Sequence, residues 1–138
     1  MRGLHLLKHW SVTQTTVTLS SAESELSGIC KGSSVSLGLI SVAKDLGFTW
    51  DLVVETDASA AIGISRRRGL GKIRHLAVAD LWVQDRVRSG DFVLRKVPGS
   101  ENASDLLTKF VDRPLLLKHL SRMGLYKEEG RAALAPTI

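Results

Sequence analysis

The sequence predicts an α/β fold in which helices pack on a mixed β-sheet. Short runs rich in β-branched and alternating apolar residues recur along the chain, separated by longer stretches with helical periodicity. Glycine or proline follows most of these segments and gives them defined ends. The predicted element order is β-β-α-β-α-α-β-α-α. No linker divides it, so we expect one domain over residues 1–125.

Two strands joined by a hairpin are predicted at the start of the chain. Over residues 4–12 every second side chain shares one face, and residues 15–19 are β-branched and alternate in the same way. Thr13 and Gln14 lie between the two runs and are predicted to close the hairpin. Neither is a glycine or an asparagine, the residues that favour a tight turn, so this signal is a weak one.

The longest helix is predicted over residues 21–46. Ser20 and Glu23 have the spacing of a capping box, in which the serine oxygen accepts an amide hydrogen bond at the helix start. Gly47 is the expected C-terminal stop. Each glycine inside the helix costs up to ~1 kcal/mol relative to alanine, so their presence predicts close packing on the sheet or an irregular turn. These glycines are Gly28, Gly32 and Gly38.

The later elements follow from the same signals. Strands are predicted over residues 50–56 and 92–97, and Pro98 with Gly99 ends the second of them. Helices are predicted over 58–66, 76–89, 102–110 and 115–123. The residues beyond, 126–138, are small and polar and predict a mobile C-terminal tail.

Composition predicts an intracellular globular protein, in the cytoplasm or the nucleus. Of the 138 residues 43% are hydrophobic and 24% charged, which is ordinary for such a domain. No uninterrupted apolar run approaches the ~20 residues of a membrane span, and the first residues do not form a secretion signal, so we expect no membrane partner and no secretion. The lone cysteine, Cys30, excludes an intrachain disulfide and is expected to be a small core residue.

The net charge of +5 is unevenly distributed: five basic residues fall between positions 66 and 74, and Arg86, Arg88, Arg95 and Lys96 follow. A basic surface on a domain of ordinary composition favours a polyanion such as nucleic acid, although a solvated run of charges has the same sequence. The residues concerned are Arg66, Arg67, Arg68, Lys72 and Arg74.

Three acidic residues occupy positions where a metal site can form. Glu25 lies two residues after Glu23, about 200° around the helix, so the two carboxylates cannot serve one site. Glu25 falls at the edge of the apolar stripe, Asp57 ends a strand, and Asp105 follows Asn102 by three residues. Each also has a simpler interpretation, as a solvated first-turn acid for Glu25 and as helix capping for the other two.

Four blocks of sequence carry a family resemblance. They lie at 18–26 (TLSSAESEL), 54–62 (VETDASAAI), 72–76 (KIRHL) and 97–109 (VPGSENASDLLTK). In order and approximate spacing they resemble the ribonuclease H domain at the C-terminal end of copia-type LTR retrotransposon polyproteins. The resemblance extends over residues 4 to about 125, and its most specific block is ASDLLTK at 103–109.

The resemblance implies a ribonuclease H-like fold that cleaves the RNA strand of RNA/DNA hybrids with two Mg²⁺ ions. It places the family's catalytic and metal-binding carboxylates on Glu25, Asp57 and Asp105, and it matches His75 as a possible accessory residue. Carboxylates are suitable ligands because Mg²⁺ prefers hard oxygen donors. An upstream reverse transcriptase segment and the hybrid, or another nucleic acid, are the implied partners.

One departure from the family bears on activity. The family's domain begins with a strand that carries a further essential aspartate, whereas this sequence has no acidic residue before Glu23. We therefore expect a ribonuclease H-like sheet that lacks its first strand. An alternative is a catalytically inactive, nucleic-acid-binding relic of the domain. A third interpretation is a basic protein-interaction domain with no nuclease ancestry.

Overall fold

The computed structural model describes residues 5–14, 17, 18, 20–69 and 78–126, and it has an α/β architecture. The chain divides into two compact units. The central unit is Thr13–Asn102, and the terminal unit joins Met1–Val12 to Ala103–Ile138. The predicted single domain over 1–125 stays a prediction, and residues 127–138 of the predicted tail lie outside the described residues.

Helices and two short strands make up the central unit. Its elements are α1 (Ser21–Asp45), β1 (Val53–Thr56), α2 (Ser59–Ser65), α3 (Val78–Ser89), β2 (Val93–Lys96) and a 3₁₀ helix at Gly99–Glu101. The terminal unit holds a 3₁₀ helix at Ala103–Leu107 and α4 (Arg113–Arg122). The predictions of α1, α2 and both strands are therefore confirmed, with ends that shift by a few residues.

The two strands form a parallel pair. Val53 is in register with Val93, and the ladder continues to Thr56 opposite Lys96. Val93 donates its backbone N–H to the Leu52 carbonyl at 3.0 Å. Parallel strands need a long crossover connection, and α2 and α3 supply it here.

The predicted N-terminal hairpin is seen among the described residues only as a single β-bridge residue, His5. Residues 6–14 contain no strand, and Val17 and Thr18 are not in a strand either, while Thr15, Thr16 and Leu19 lie outside the described residues. The Gln14 side chain instead donates to the Ser24 carbonyl at 2.8 Å and accepts from the Ser24 hydroxyl at 2.9 Å. Gln14, which was expected to lie in the hairpin turn, is thus bonded to the first turn of α1.

α1 begins and ends as its sequence predicts. Ser20 is the N-cap, and its hydroxyl accepts the Glu23 backbone N–H at 3.3 Å. Gly47 follows the helix with φ +85°, a conformation that L side chains rarely adopt. The expected close packing or irregularity at the internal glycines is wrong, because α1 runs unbroken and a Cβ built at Gly28, Gly32 or Gly38 meets nothing within 4 Å among the described residues.

Seven buried side chains from α1, α2, α3, β2 and the residue before β2 form the core of the central unit. They are Leu26, Ile29, Ala61, Ile64, Val83, Phe92 and Leu94. Cys30 packs against this cluster as expected. Burying apolar surface stabilises such a cluster by about 25 cal/mol per Å², so the core fixes α1 against β1, α2 and α3.

By length and composition α1 is long and apolar enough to cross a membrane. Of its most apolar stretch of 18 residues, 22% is buried inside the protein. Its apolar residues are interrupted by serines, glycines and Lys31. Leu26 and Ile29 bury their side chains in the core. The absence of a membrane partner stays a prediction.

In the terminal unit α4 packs against the 3₁₀ helix Ala103–Leu107. Asp112 caps α4 by accepting the Leu115 N–H at 3.0 Å, so the helix starts at Arg113, earlier than the predicted residue 115. Ser11 donates its hydroxyl to the Leu107 carbonyl at 3.0 Å. The predicted helix 102–110 is wrong as an α-helix, because the shorter 3₁₀ helix Ala103–Leu107 takes its place.

Candidate functional site

Asp57 lies at the carboxyl end of β1, half-buried, in the turn that leads to α2. The N-cap of α2 is Ala58, so Asp57 is not the cap residue that one interpretation of the sequence allowed. The Thr56 hydroxyl accepts the Ala58 N–H at 3.2 Å and shapes this turn. The structure therefore leaves the Asp57 carboxylate free of a capping role.

The loop after β2 contacts the Asp57 carboxylate from one side. Asn102 donates its side-chain amide to Asp57 Oδ1 at 3.3 Å. A Cβ placed on Gly99 would lie 3.4 Å from Asp57 Oδ2, so the backbone of this loop passes close to the second oxygen. Both contacts come from beyond the carboxyl end of the neighbouring parallel strand, and ligands of open α/β sheets bind at this edge.

Glu25 belongs to the same unit as Asp57 and is exposed near the start of α1. It flanks the buried side of the helix, beside Leu26 and Ile29. Within the described part of the chain no hydrogen bond or ion pair engages its carboxylate. Its position at the edge of the apolar stripe is as predicted, and its side chain is open to a cation from solvent.

Asp105 lies in the terminal unit, on the 3₁₀ helix Ala103–Leu107. Its carboxylate accepts from the Lys109 ammonium at 3.0 Å, with 16% of the Asp105 side chain exposed against 60% for Lys109. The ion pair neutralises a carboxylate that is mostly withdrawn from water. A metal ion at Asp105 would compete with this lysine.

The carboxylates suit Mg²⁺ by their donor chemistry, because Mg²⁺ takes one or two carboxylates and keeps several waters. Asp57 Oδ1 already accepts one hydrogen bond, which leaves lone pairs on both of its oxygens for a cation. No group of three or more His, Cys, Asp or Glu side chains that could hold a metal occurs among the described residues. The site of three carboxylates stays a prediction.

The basic segment begins directly after α2. Arg66, Arg67 and Arg68 are exposed, while Lys72, Arg74 and His75 lie outside the described residues. Arg66 donates from Nη2 to the Leu94 carbonyl at 3.2 Å. Val93 and Val97 donate to the Leu52 and Thr56 carbonyls, so the carbonyl of Leu94 points away from β1, on the side where Arg66 contacts it.

Three features of this region were not predicted from the sequence: the pairing of Asn102 with Asp57, the proximity of Arg88 to Arg66–Arg68, and the burial of Gln84. Gln84 is 2% exposed and follows the buried Val83 on α3. A polar residue on the apolar side of a helix is the signal that points to Gln84. Asn102 has no such local signal, because its partner is 45 residues away.

Comparison with known proteins gives no match, either to a protein-family model or to a solved structure. The ribonuclease H resemblance therefore rests on the sequence blocks alone and is taken forward as a proposal.

Proposed function

We propose that this chain is a ribonuclease H-like domain of a copia-type retroelement, which hydrolyses the RNA strand of RNA/DNA hybrids when its metal site is complete. The observation that carries the proposal is the position of Asp57. Its carboxylate ends a strand of a parallel pair, does not cap the following helix, and is held by the loop after the neighbouring strand. Ligands of open α/β sheets bind beyond the carboxyl ends of the strands, which is where Asp57 lies.

In this proposal Asp57, Glu25 and Asp105 supply the oxygen ligands for the metal. When bound, two Mg²⁺ ions would lower the pKa of an attacking water and offset charge on the leaving 3′ oxygen. Asn102 fixes the orientation of Asp57 through its amide. A cation at Asp105 would compete with Lys109, whose ammonium pairs with that carboxylate at 3.0 Å. His75 is an accessory residue of this site.

The same proposal assigns substrate binding to the basic segment. Arg66, Arg67, Arg68, Lys72 and Arg74 contact phosphates, which contributes affinity that does not depend on sequence and weakens with salt. Selection of the RNA strand rests on contacts with its 2′-hydroxyl groups. A nucleic-acid partner is consistent with an intracellular protein that works beside an upstream reverse transcriptase segment.

A second candidate is an inactive, nucleic-acid-binding relic of this domain. One observation favours it: Lys109 already neutralises the carboxylate of Asp105. Such a protein would bind the hybrid through its arginines without turnover.

Cleavage of a labelled RNA/DNA hybrid in Mg²⁺ separates the two candidates, with Asp57→Asn as the matched variant. Cleavage by the full chain that the substitution abolishes supports the nuclease. Salt-dependent binding without cleavage by either protein supports the inactive relic. Salt-insensitive failure to bind the hybrid contradicts both and favours a protein-interaction domain.

A further inference from the structure

A surface pocket of about 280 Å³ lies where the end of α2 meets α3. Four arginines contribute to its lining, and no acidic residue does. The lining residues are Ser65, Arg66, Arg67, Arg68, Gln84, Val87 and Arg88. Four guanidinium groups around one concavity repel one another, and a bound anion relieves that repulsion.

Gln84 fixes the loop that carries three of these arginines. Its amide nitrogen donates to the Ile64 carbonyl and to the Gly69 carbonyl, both at 3.1 Å. These two acceptors stand on either side of residues 65–68, so a single buried side chain on α3 holds both ends of the arginine segment. Such preorganisation lowers the entropy lost when the segment binds a ligand.

Arg66 is also held by β2. One of its guanidinium nitrogens donates to the Leu94 carbonyl on the edge of β2, and its remaining N–H groups stay available to an anion. The Ser65 hydroxyl donates to the Ala61 carbonyl at 2.9 Å and completes the end of α2. The pocket is therefore lined by the end of α2, the turn that follows it and α3, and this turn is held by bonds to α3 and to β2.

A simpler account assigns these arginines to ordinary roles on the surface. Cations are favoured at helix C-termini, where both Arg66 and Arg88 lie, and Arg88 also pairs with exposed Asp85 at 3.6 Å. Exposed pairs of this kind are worth little. The simple account does not explain why buried Gln84 clamps the loop so that Arg67 and Arg68 line the same pocket as Arg88.

We propose that this pocket binds one backbone phosphate of a nucleic-acid strand, with Arg88 as a direct phosphate ligand and Gln84 as the residue that positions Arg66–Arg68. This inference rests on the proposed nucleic-acid partner but not on catalysis. It adds to the basic segment a fourth arginine from a different helix. Arginine is suited to the task because its planar donors match two phosphate oxygens at once.

Fluorescence anisotropy of a labelled RNA/DNA hybrid with the full chain, over a series of salt concentrations, tests the role of Arg88. Arg88→Ala is expected to weaken binding roughly tenfold at low salt, as for the loss of a charge-assisted hydrogen bond. The slope of log K against log salt should fall by about one. The matched control is Lys31→Ala, which removes the same charge from an exposed site on α1 outside the pocket.

Gln84→Met tests the positioning role, because it keeps the volume and every charge of the pocket but cannot donate to the two carbonyls. Weaker hybrid binding by a variant with unchanged circular dichroism supports the inference. If Gln84→Met does not fold, the test rests on comparing hybrid binding by Arg88→Ala with hybrid binding by Lys31→Ala. Equal effects of those two substitutions overturn the inference.

The cleavage assay separates failure of this inference from failure of the proposed activity. Loss of binding in Arg88→Ala, with no cleavage by the unmodified chain, supports the pocket and contradicts the nuclease. Cleavage abolished by Asp57→Asn, with Arg88→Ala no weaker in binding than Lys31→Ala, supports the nuclease and overturns the pocket.

Discussion

The side-chain amide of Asn102 donates to Asp57 Oδ1 at 3.3 Å across 45 residues of sequence, joining the turn after β1 to the loop after β2. The bond fixes one oxygen of a half-buried carboxylate and supplies a donor that carries no charge. A neutral partner is important at this position, because a second carboxylate at the same distance would raise the pKa of both groups.

Asn102→Asp is expected to destabilise the protein at pH 7 by about 1–2 kcal/mol, because two carboxylates then face each other and the hydrogen bond is lost. The repulsion raises the pKa of the folded pair above its unfolded value. The electrostatic penalty is therefore present at neutral pH and disappears as the pH falls below about 3.9, the unfolded value. Urea denaturation over a pH series measures it. Asn102→Ala is the control, and a matching pH profile for the two variants would contradict the explanation.

Replacing a glycine inside α1 and the glycine that follows α1 with alanine should change the free energy of unfolding in opposite directions. Gly38→Ala is expected to raise the free energy of unfolding by up to ~1 kcal/mol, because the site is helical and a Cβ meets nothing within 4 Å among the described residues. Gly47→Ala should lower it by about 1 kcal/mol, because its φ of +85° strains an L side chain. Thermal denaturation of both variants makes the comparison, and a shift of Tm in the same direction would show that α1 ends differently.

Asp91 gives a pH dependence of known sign. Hydrogen bonds from Arg86 and Ser89 hold the pKa of the exposed Asp91 carboxyl below its ordinary value of 3.8. A depressed pKa contributes stability at pH values above 3.8, and that stability is lost as the pH falls through the folded value. Asp91→Asn should therefore be less stable than the parent at pH 6, and the difference should vanish in acid. If the difference in Tm between Asp91→Asn and the parent were the same in acid, the effect would come from packing and not from the charge of Asp91.

His119 is buried in α4, and neither ring nitrogen has a hydrogen-bond partner among the described residues. An unsatisfied buried polar group costs about 1–3 kcal/mol, so His119→Leu, of comparable size, is expected to raise the free energy of unfolding by about 1 kcal/mol. Urea denaturation measures the change, with the exposed neighbour Lys118→Leu as the control. A loss of stability in His119→Leu would mean that the imidazole fits its surroundings better than an aliphatic side chain.

The sequence predicts the elements whose signals are local. The Ser20 cap and the stop at Gly47 bound α1, and apolar β-branched runs mark β1 and β2. Alternation alone predicted a strand over residues 6–14, where the structure has none. The side-chain bonds between Gln14 and Ser24 in this region cannot be predicted from alternation. Polar contacts between distant residues, such as Asn102 with Asp57 and Gln84 with Gly69, have no signature in spacing.

The parallel pairing of β1 with β2 also sets an order of events during synthesis. Partners such as Glu55 and Arg95 lie 40 residues apart, and closing a loop of that length costs about 3 kcal/mol in chain entropy. We therefore expect the strand pair to form late in folding, after α2 and α3 have shortened the path between its halves. A nascent chain that has not yet released Val93–Lys96 from the ribosome exposes β1 as an unpaired strand. Translational pausing in the segment between the strands would prolong that exposure and favour aggregation.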